Sequence, residues 1–349
     1  MQTSERANLP RWRGQAGFFE IWFFVVFVPS AGRAFWVRFT TDAPAPGTDG
    51  SAAEPSRAIV WAAAFDAHRG EKAVARKAVR AIETYERGPK DRLKIRIDGA
   101  ELSNGHTKGT VASDGRSLSW DLQFETAPQE VRRSPWLVHA LHLPTRSRHA
   151  NDGVRFSGTF TVDGETLSFD DGIGVQMHLY GERRLDDLRW VYCGAFEEDA
   201  SARMEIIAGR FQRTALGMRT PLATSVWLET STRGIDRRGL PQALGATLRE
   251  PLPHVVEVRS RGPLESVLVR AYCDPASMVG YIYRDPAGHD VYIAHSDIAS
   301  AVVENLRRPT PLAAWRVEER LTSRHTTALE FHGLEPFPDV RYIPWEAES

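Results

Sequence analysis

The most apolar stretch of the chain runs from Phe18 to Val28 and holds one carboxylate, Glu20. Read with a period of two, one parity is Phe18, Glu20, Trp22, Phe24, Val26 and Val28. The other is Phe19, Ile21, Phe23, Val25 and Phe27. Both sets are apolar, the pattern of a strand covered on two sides. A turn at residues 29–32 leads to a second strand at 33–40. A simple hairpin closed at Val28 and Arg33 places Glu20, Trp22 and Phe24 on the face of Phe39, Val37 and Phe35. Trp36 and Arg38 then lie on the opposite face, and a slip of one residue reverses the assignment.

Period-two segments recur along the chain. Residues 58–65 read as a strand carrying Trp61. Short strands at 93–97 and 109–111 end in the turns Asp98-Gly99 and Asp114-Gly115. Leu118, Trp120, Leu122 and Phe124 alternate with polar residues, and 154–162 and 166–169 flank the turn Asp163-Gly164. Further strands are expected at 175–180, 189–196, 202–208, 224–230, 254–259, 267–272, 279–284, 290–295, 315–321 and 326–331. Residues 41–56, rich in Pro, Gly, Ala and Asp, read as a loop and a candidate flap. Residues 71–86 fit a helix or a strand, because Val74, Ala75, Ala78, Val79 and Ile82 fall at helical spacing. Residues 298–305 suggest a short helix. The fold class is all-β, of barrels or sandwiches with few short helices. The expected division is a flexible arm at 1–16, an N-terminal β-domain at 17–215 and a C-terminal one at 216–349. The second boundary rests on Gly209, Gly217 and Pro221.

Length and charge narrow the functional classes. The 349 residues suffice for two domains of ordinary size, and ten Trp with sixteen Phe supply large rings for their cores. Forty-four Lys and Arg against forty-five Asp and Glu leave a net charge of −1, with no basic field for nucleic acid. Two cysteines, Cys193 and Cys273, argue against a disulfide framework and for a reduced, cytoplasmic setting. Arg6, Arg11 and Arg13 before the apolar run imitate the start of an export signal. The run, however, is about half the length that spans a bilayer, contains Glu20 and lacks a cleavage site. It is read as a strand, so no integral membrane span is expected.

The densest polar group is Gln176, His178 and Tyr180, which share one strand face beside the aromatic strand of Trp190 and Tyr192. A few convergent polar groups on an aromatic wall is how a ligand pocket reads in sequence. A carboxyl held among rings is a candidate acid, and His178 titrates near neutrality. Each equally suits a buried structural network. Asp170-Asp171 is a second acidic candidate, though adjacent carboxylates before a glycine also mark a turn. Glu229 and Glu330 resemble Glu20 in setting, and either can instead pair with Arg270. His139, His142 and His149 have tolerable metal spacing but no nearby Cys or carboxylate partner; no metal site is assigned. Cys193, within an aromatic strand, reads as a buried thiol rather than a nucleophile. No phosphate loop, dinucleotide fingerprint or nucleophile elbow is present.

The segments Gly17–Trp22, Gly32–Trp36 and Gly174–Gly181, with Trp190 and Cys193, resemble the lipocalin-like superfamily of carotenoid 1,2-hydratases, tocopherol cyclases and lipocalin-like Diels–Alderases. The likeness extends over roughly residues 17–340. It implies two lipocalin-like β-barrel halves packed together around an apolar pocket, and chemistry without metal or organic cofactor. The implied reaction is cyclisation or hydration of a hydrophobic polyene, terpenoid or polyketide-derived substrate, by pre-folding in the pocket and general-acid catalysis. The implied catalytic residues are Glu20 and His178. Trp22, Trp36, Arg38, Gln176, Tyr180, Trp190 and Glu229 are expected to contact substrate. The chain departs from the family pattern in having Tyr180 where Trp is usual and Tyr192 where His precedes Cys. A non-catalytic carrier of a lipid or pigment is the rival expectation.

Overall fold

A computed structural model describes residues 3–47, 52–113, 115–131, 144–211 and 219–343. The chain forms two large antiparallel sheets of eleven strands each among the described residues. The first contains β1 (Phe18–Val28), β2 (Arg33–Ala43), β3 (Arg57–Asp66), β4 (Ala73–Ala81), β5 (Tyr85–Arg87), β6 (Lys94–Ile97), β7 (Ala100–Ser103), β8 (His106–Ser113), β9 (Arg116–Phe124), β10 (Thr145–Val162) and β11 (Glu165–Gly181). Its order is β4-β3-β2-β1-β11-β10-β9-β8-β7-β6-β5. Packing of β4 against β8 and β9 nearly closes it into a barrel.

The second sheet contains β12 (Asp187–Cys193), β13 (Arg203–Arg210), β14 (Ala223–Glu229), β15 (Gly234–Arg237), β16 (Thr247–Leu252), β17 (Val255–Arg261), β18 (Glu265–Tyr272), β19 (Val279–Arg284), β20 (Asp290–Arg307), β21 (Arg316–Gly333) and β22 (Arg341–Tyr342). β12 through β15 flank β21 on one side and β20 through β16 on the other, with β19 added to β20. The helices among the described residues are short: α1 (Thr3–Asn8) and α2 (Leu240–Gly245). No described helix is long and apolar enough to cross a membrane.

β1 sits at the centre because both of its faces are buried. Trp22, Phe24 and Val26 enter the barrel interior with Val37, Phe39 and Trp120. Phe19, Ile21, Phe23, Val25 and Phe27 face outward into a core shared with the second sheet, against Trp36, Met177, Trp190, Tyr192 and Tyr281. A third core fills the second sheet. The hairpin register is the one expected, with Val28 opposite Arg33, Trp22 opposite Phe39 and Phe24 opposite Val37. Gly32 closes it at a φ of +60°, a left-handed conformation that glycine adopts without a Cβ penalty. At Gly174 the β1–β11 seam is so tight that a Cβ would lie 1.9 Å from the Val25 carbonyl oxygen.

Several expectations are corrected. Residues 73–81 form β4, with Val74 and Ala78 turned to the barrel core and Ala75 and Val79 to the shared one, so the period is two. Residues 298–305 lie in β20 and not in a helix. Ala299, Ala301 and Val303 alternate into the third core, and register shifts near Ser296 and Ala299 disguise the pattern. The chain passes from one sheet to the other between Gly181 and Asp187, while the boundary expected at 215/216, with Gly217, lies outside the described residues. Gly209 and Pro221 punctuate only the β13–β14 hairpin, where Gly209 pairs with Ala223. In the candidate flap, residues 41–43 belong to β2. The Ala45 amide donates to the Pro286 carbonyl at 2.8 Å, and Glu54 pairs with Arg57 and Arg284. Residues 48–51 lie outside the described residues.

The N-terminal arm is likewise docked rather than loose. Ser4, Ala7 and Asn8 of α1 are buried. Asn8 Nδ2 donates to Gln176 Oε1 at 2.8 Å, and Trp22 Nε1 donates to the Asn8 carbonyl at 2.9 Å. The amides of Arg11 and Trp12 donate to the two Glu20 oxygens at 2.5 and 2.9 Å. The polar composition that suggested a loose arm supplies partners for polar groups inside the barrel. A carboxylate that loses such donors costs about 1–3 kcal/mol. Hydrogen–deuterium exchange checks this arrangement. The Arg11 and Trp12 amides are expected to exchange as slowly as those of β1, and Glu20→Gln to speed both and lower unfolding stability by about 1–3 kcal/mol. Exchange of these amides within the dead time would contradict it.

Candidate functional site

β1 and β11 pair with Glu20 opposite Tyr180, Trp22 opposite His178 and Phe24 opposite Gln176. Cross-strand partners share a face, so these residues all point into the barrel interior under the arm. His178 Nδ1–H donates to the Ala7 carbonyl at 2.7 Å, and Nε2 lies 2.8 Å from Glu20 Oε1. Its ring stacks on Trp22 at 4.8 Å. Gln176 Oε1 accepts from both Asn8 and Asn151. Glu20, Gln176, His178 and Trp22 are 0% exposed, and none lines a cavity shared with the second sheet. The structure brings these residues onto one face of the β1–β11 pair. α1 and the arm supply hydrogen-bond partners to them.

The opposite face of β1 borders a cavity of about 130 Å³ between the sheets. That is comparable with the ~150 Å³ dry cavity that accepts a benzene ring. Phe19, Ile21, Phe23, Met177, Leu179 and Trp190 form its apolar wall, and Thr145, Ser147, Leu185 and Leu188 form a partly exposed rim. Of the expected contact residues, Trp36, Arg38 and Trp190 line this cavity, whereas Trp22, Gln176 and Tyr180 do not. Glu229 is corrected: it is an exposed residue of β14 in an ion pair with Arg203 at 3.2 Å. It lies at the end of a strand whose buried positions are Thr224, Val226 and Leu228, so its parity is outward.

The polar end of the cavity comes mainly from the second sheet. His295 on β20 faces Glu330 on β21 across the ladder. His295 Nδ1 lies 3.0 Å from Glu330 Oε2, and its Nε2 lies 2.8 Å from Asp297 Oδ1. Asp297 falls where the β20 register shifts, a bulge that keeps its carboxylate beside the imidazole. Tyr281 OH donates to Glu330 Oε2 at 2.6 Å, and His332 Nε2 lies 2.6 Å from Glu330 Oε1. His332 Nδ1–H donates to the Leu185 carbonyl at 3.4 Å. A row of carboxylate, imidazole, carboxylate and imidazole therefore runs from the buried Asp297 to Glu330 and His332 in the cavity wall.

Burial and charge set the protonation of this row. Burial opposes a charge on His295, but Asp297 and Glu330 on its two sides outweigh it and push its pKa up to about 10. Burial alone would raise Glu330, yet hydrogen bonds from His295 and His332 hold it well below the usual carboxylate range. Burial raises Asp297 despite the neighbouring imidazole, and burial raises Tyr281, with Glu330 adding to the effect. On the first-sheet side, burial lowers Arg38 to about 9, with nearby Arg184 adding to the shift. Burial lifts Asp42 to about 6 against the pull of Arg184, which lies 3.9 Å away.

Sequence reasoning missed His295, Asp297, His332, Tyr281, Tyr283 and Arg184. The available signal was the spacing of two in His295/Asp297 and Glu330/His332, which puts each pair on one strand face. His149 pairs with Glu205 at 2.8 Å, and Glu205 also accepts from Trp190 Nε1. His139 and His142 lie outside the described residues. No group of three His, Cys, Asp or Glu side chains among the described residues is arranged to hold a metal. Burial pushes the Cys193 thiol up to about 12, as suits an inert core residue. Asp170 and Asp171 are exposed within β11.

Fold and site together define a protein of two large β-sheets with a largely apolar, polar-ended cavity between them. The chain is similar to kievitone hydratase from Nectria haematococca, whose crystal structure matches with a TM-score of 0.55 at 10% identity, over 91% of this chain and 89% of that one. It also matches CghA, with a TM-score of 0.48 at 12% identity over 90% of this chain and 88% of that one. An uncharacterized protein of Mycobacterium tuberculosis, found in two strains, is 25% identical over 303 residues, 85% of this chain and 84% of its own length. No family model matches the chain. The likeness to kievitone hydratase establishes the shared fold.

His295 gives the site a pH signature. Its folded pKa of about 10 exceeds the unfolded value of 6.5. Its contribution is therefore fully present below pH 6.5 and is lost as pH rises toward 10. Denaturation midpoints are expected to fall across that window by an amount equivalent to several kcal/mol. His295→Gln should flatten most of the slope while lowering stability at neutral pH. An unchanged slope in the variant would remove His295 from the account.

Proposed function

We propose that the protein is a cofactor-independent enzyme of the cyclase or hydratase kind, acting on a hydrophobic polyene, terpenoid or polyketide-derived substrate held between the two sheets. The observation that carries this reading is the contact of Glu330 and His332 with a largely apolar cavity, backed by His295 and Asp297. Protonation of an alkene, or polarisation of a conjugated carbonyl, needs a proton donor where bulk water is excluded. His332 is the donor in this reading. His332 takes a proton back from the carbocation or from the added water, and Glu330, kept ionised by His295, orients its ring. Trp36 and Trp190 provide faces that attract developing positive charge, each contact worth about 0.5–2 kcal/mol. Glu20 and His178, the acids expected from the sequence, are assigned the positioning of the arm.

One observation favours a carrier instead. Glu330 is satisfied on all sides, by Tyr281, His295 and His332, so the cavity presents no bare carboxylate. Turnover separates the two readings. Incubation with lipid-soluble metabolites of the source cell, followed by mass spectrometry, should show one compound consumed and an isomer or hydrate formed. His332→Ala and Glu330→Gln should each slow this by about 10²–10⁴-fold, with Glu20→Gln near wild type once corrected for folded fraction. A compound that co-purifies and is never converted would establish the carrier. Loss of turnover in Glu20→Gln alone would return the acid to the barrel interior.

A further inference from the structure

We propose that the inter-sheet cavity takes a hydrophobic carboxylic acid, with the carboxylate seated on the guanidinium of Arg38. This rests on the reading of the cavity as a ligand pocket, and it holds whether or not that ligand is transformed.

Arg38 is 2% exposed and lines the cavity. Its Nε–H donates to Thr40 Oγ1 at 2.9 Å. No carboxylate among the described residues lies within 4.0 Å of it, and its other neighbours are rings. The guanidinium carbon sits 4.0 Å from the Tyr283 ring centroid, 5.7 Å from Trp61 and 5.9 Å from Trp36. Ring faces soften the burial of a cation but accept no fork of N–H bonds. The terminal N–H groups of Arg38 therefore lack an anionic partner in a place where an unpaired charge is costly.

The nearby carboxylates are committed elsewhere. Glu330 takes Tyr281 and the two histidines. Asp285 accepts the Arg184 and Ala287 amides at 2.7 and 2.9 Å. Asp42 faces Arg184 rather than Arg38. Arg184 also stands over Tyr283, at 4.6 Å from its centroid, and adds a second positive charge near Arg38. Burial holds Arg38 down to about 9, the behaviour of a cation still lacking its counterion, and a bound anion would reverse it.

A planar two-oxygen anion matches the fork of a guanidinium with two parallel hydrogen bonds. Phe23, Leu179 and Trp190 line the same cavity, whose volume of about 130 Å³ suits an apolar body about one ring wide. A neutral hydrocarbon would fill the apolar wall and leave Arg38 uncompensated. An acid does both.

Calorimetry with phenylbutyrate and its neutral analogue phenylbutanol tests this on the full-length protein. The acid is expected to bind at least tenfold more tightly than the alcohol, and Arg38→Met to reduce that preference to threefold or less. Arg38→Gln, which keeps a polar side chain of similar reach, is the second variant should the first fail to fold. Equal binding of the two probes, absence of binding by both, or a preference that survives in a folded Arg38 variant would overturn the proposal. The comparison in wild-type protein needs no variant. Because it reads binding alone, its failure leaves the proposed turnover untouched, and failure of turnover leaves the acid preference untouched.

Discussion

The structure depends on a strand that is dehydrated on both sides. β1 contributes alternate residues to the barrel interior and to the core between the sheets, and neither set reaches water. Burial of large rings on two faces stabilises strongly, by roughly 25 cal/mol per Å² of apolar surface. The same burial forces every polar group nearby to find a partner inside the protein. Glu20 on one face and Arg38 beside the other answer that demand in opposite ways. Glu20 is met by an imidazole and two backbone amides. Arg38 is met by one hydroxyl and the faces of rings.

That contrast explains why the two buried polar systems have different standing. Around Glu20 the donors and acceptors come from one folded unit, with α1 and the arm closing over them. Around Glu330 the partners come from β19, β20 and β21, while the wall they face belongs to β1, β2 and β11. A network that borders empty space can respond to an occupant. One closed over by packed elements holds those elements in place. Resemblance to an active site in residue type is therefore weaker evidence than the position of the group relative to open volume.

The fold was largely legible because its signal is periodic. The hairpin of β1 and β2, the turns at Asp98-Gly99 and Asp163-Gly164, and the shared face of Gln176, His178 and Tyr180 follow from alternation and turn chemistry. Which face met which core was not legible, since both parities of β1 are apolar and the sequence carries no mark of the second sheet's approach. The arm was missed because composition reports average polarity, and its polar atoms are consumed one by one inside the barrel. The bulges in β20 broke the period that would have marked 298–305 as a strand. Glu229 and Glu330 looked alike in sequence. Only the register of their strands separates an exposed ion pair from the wall of a cavity.

The division of labour across the seam has a consequence for how such a site arises. The first sheet provides most of the apolar surface and one cation, and the second provides a row of protonatable groups together with Leu188, Trp190 and Ile207. Neither half alone encloses the cavity. The stacks that hold the sheets together, Trp36 on Tyr281 at 5.3 Å and Phe27 on Tyr192 at 6.3 Å, therefore also set the distance between acid row and apolar wall. A displacement of about 1 Å at a reacting centre is enough to cost ~10²-fold in rate. On the proposed reading, the aromatic residues of the shared core act on the chemistry through spacing, and the constraint on β1 to be buried twice is what keeps that spacing fixed.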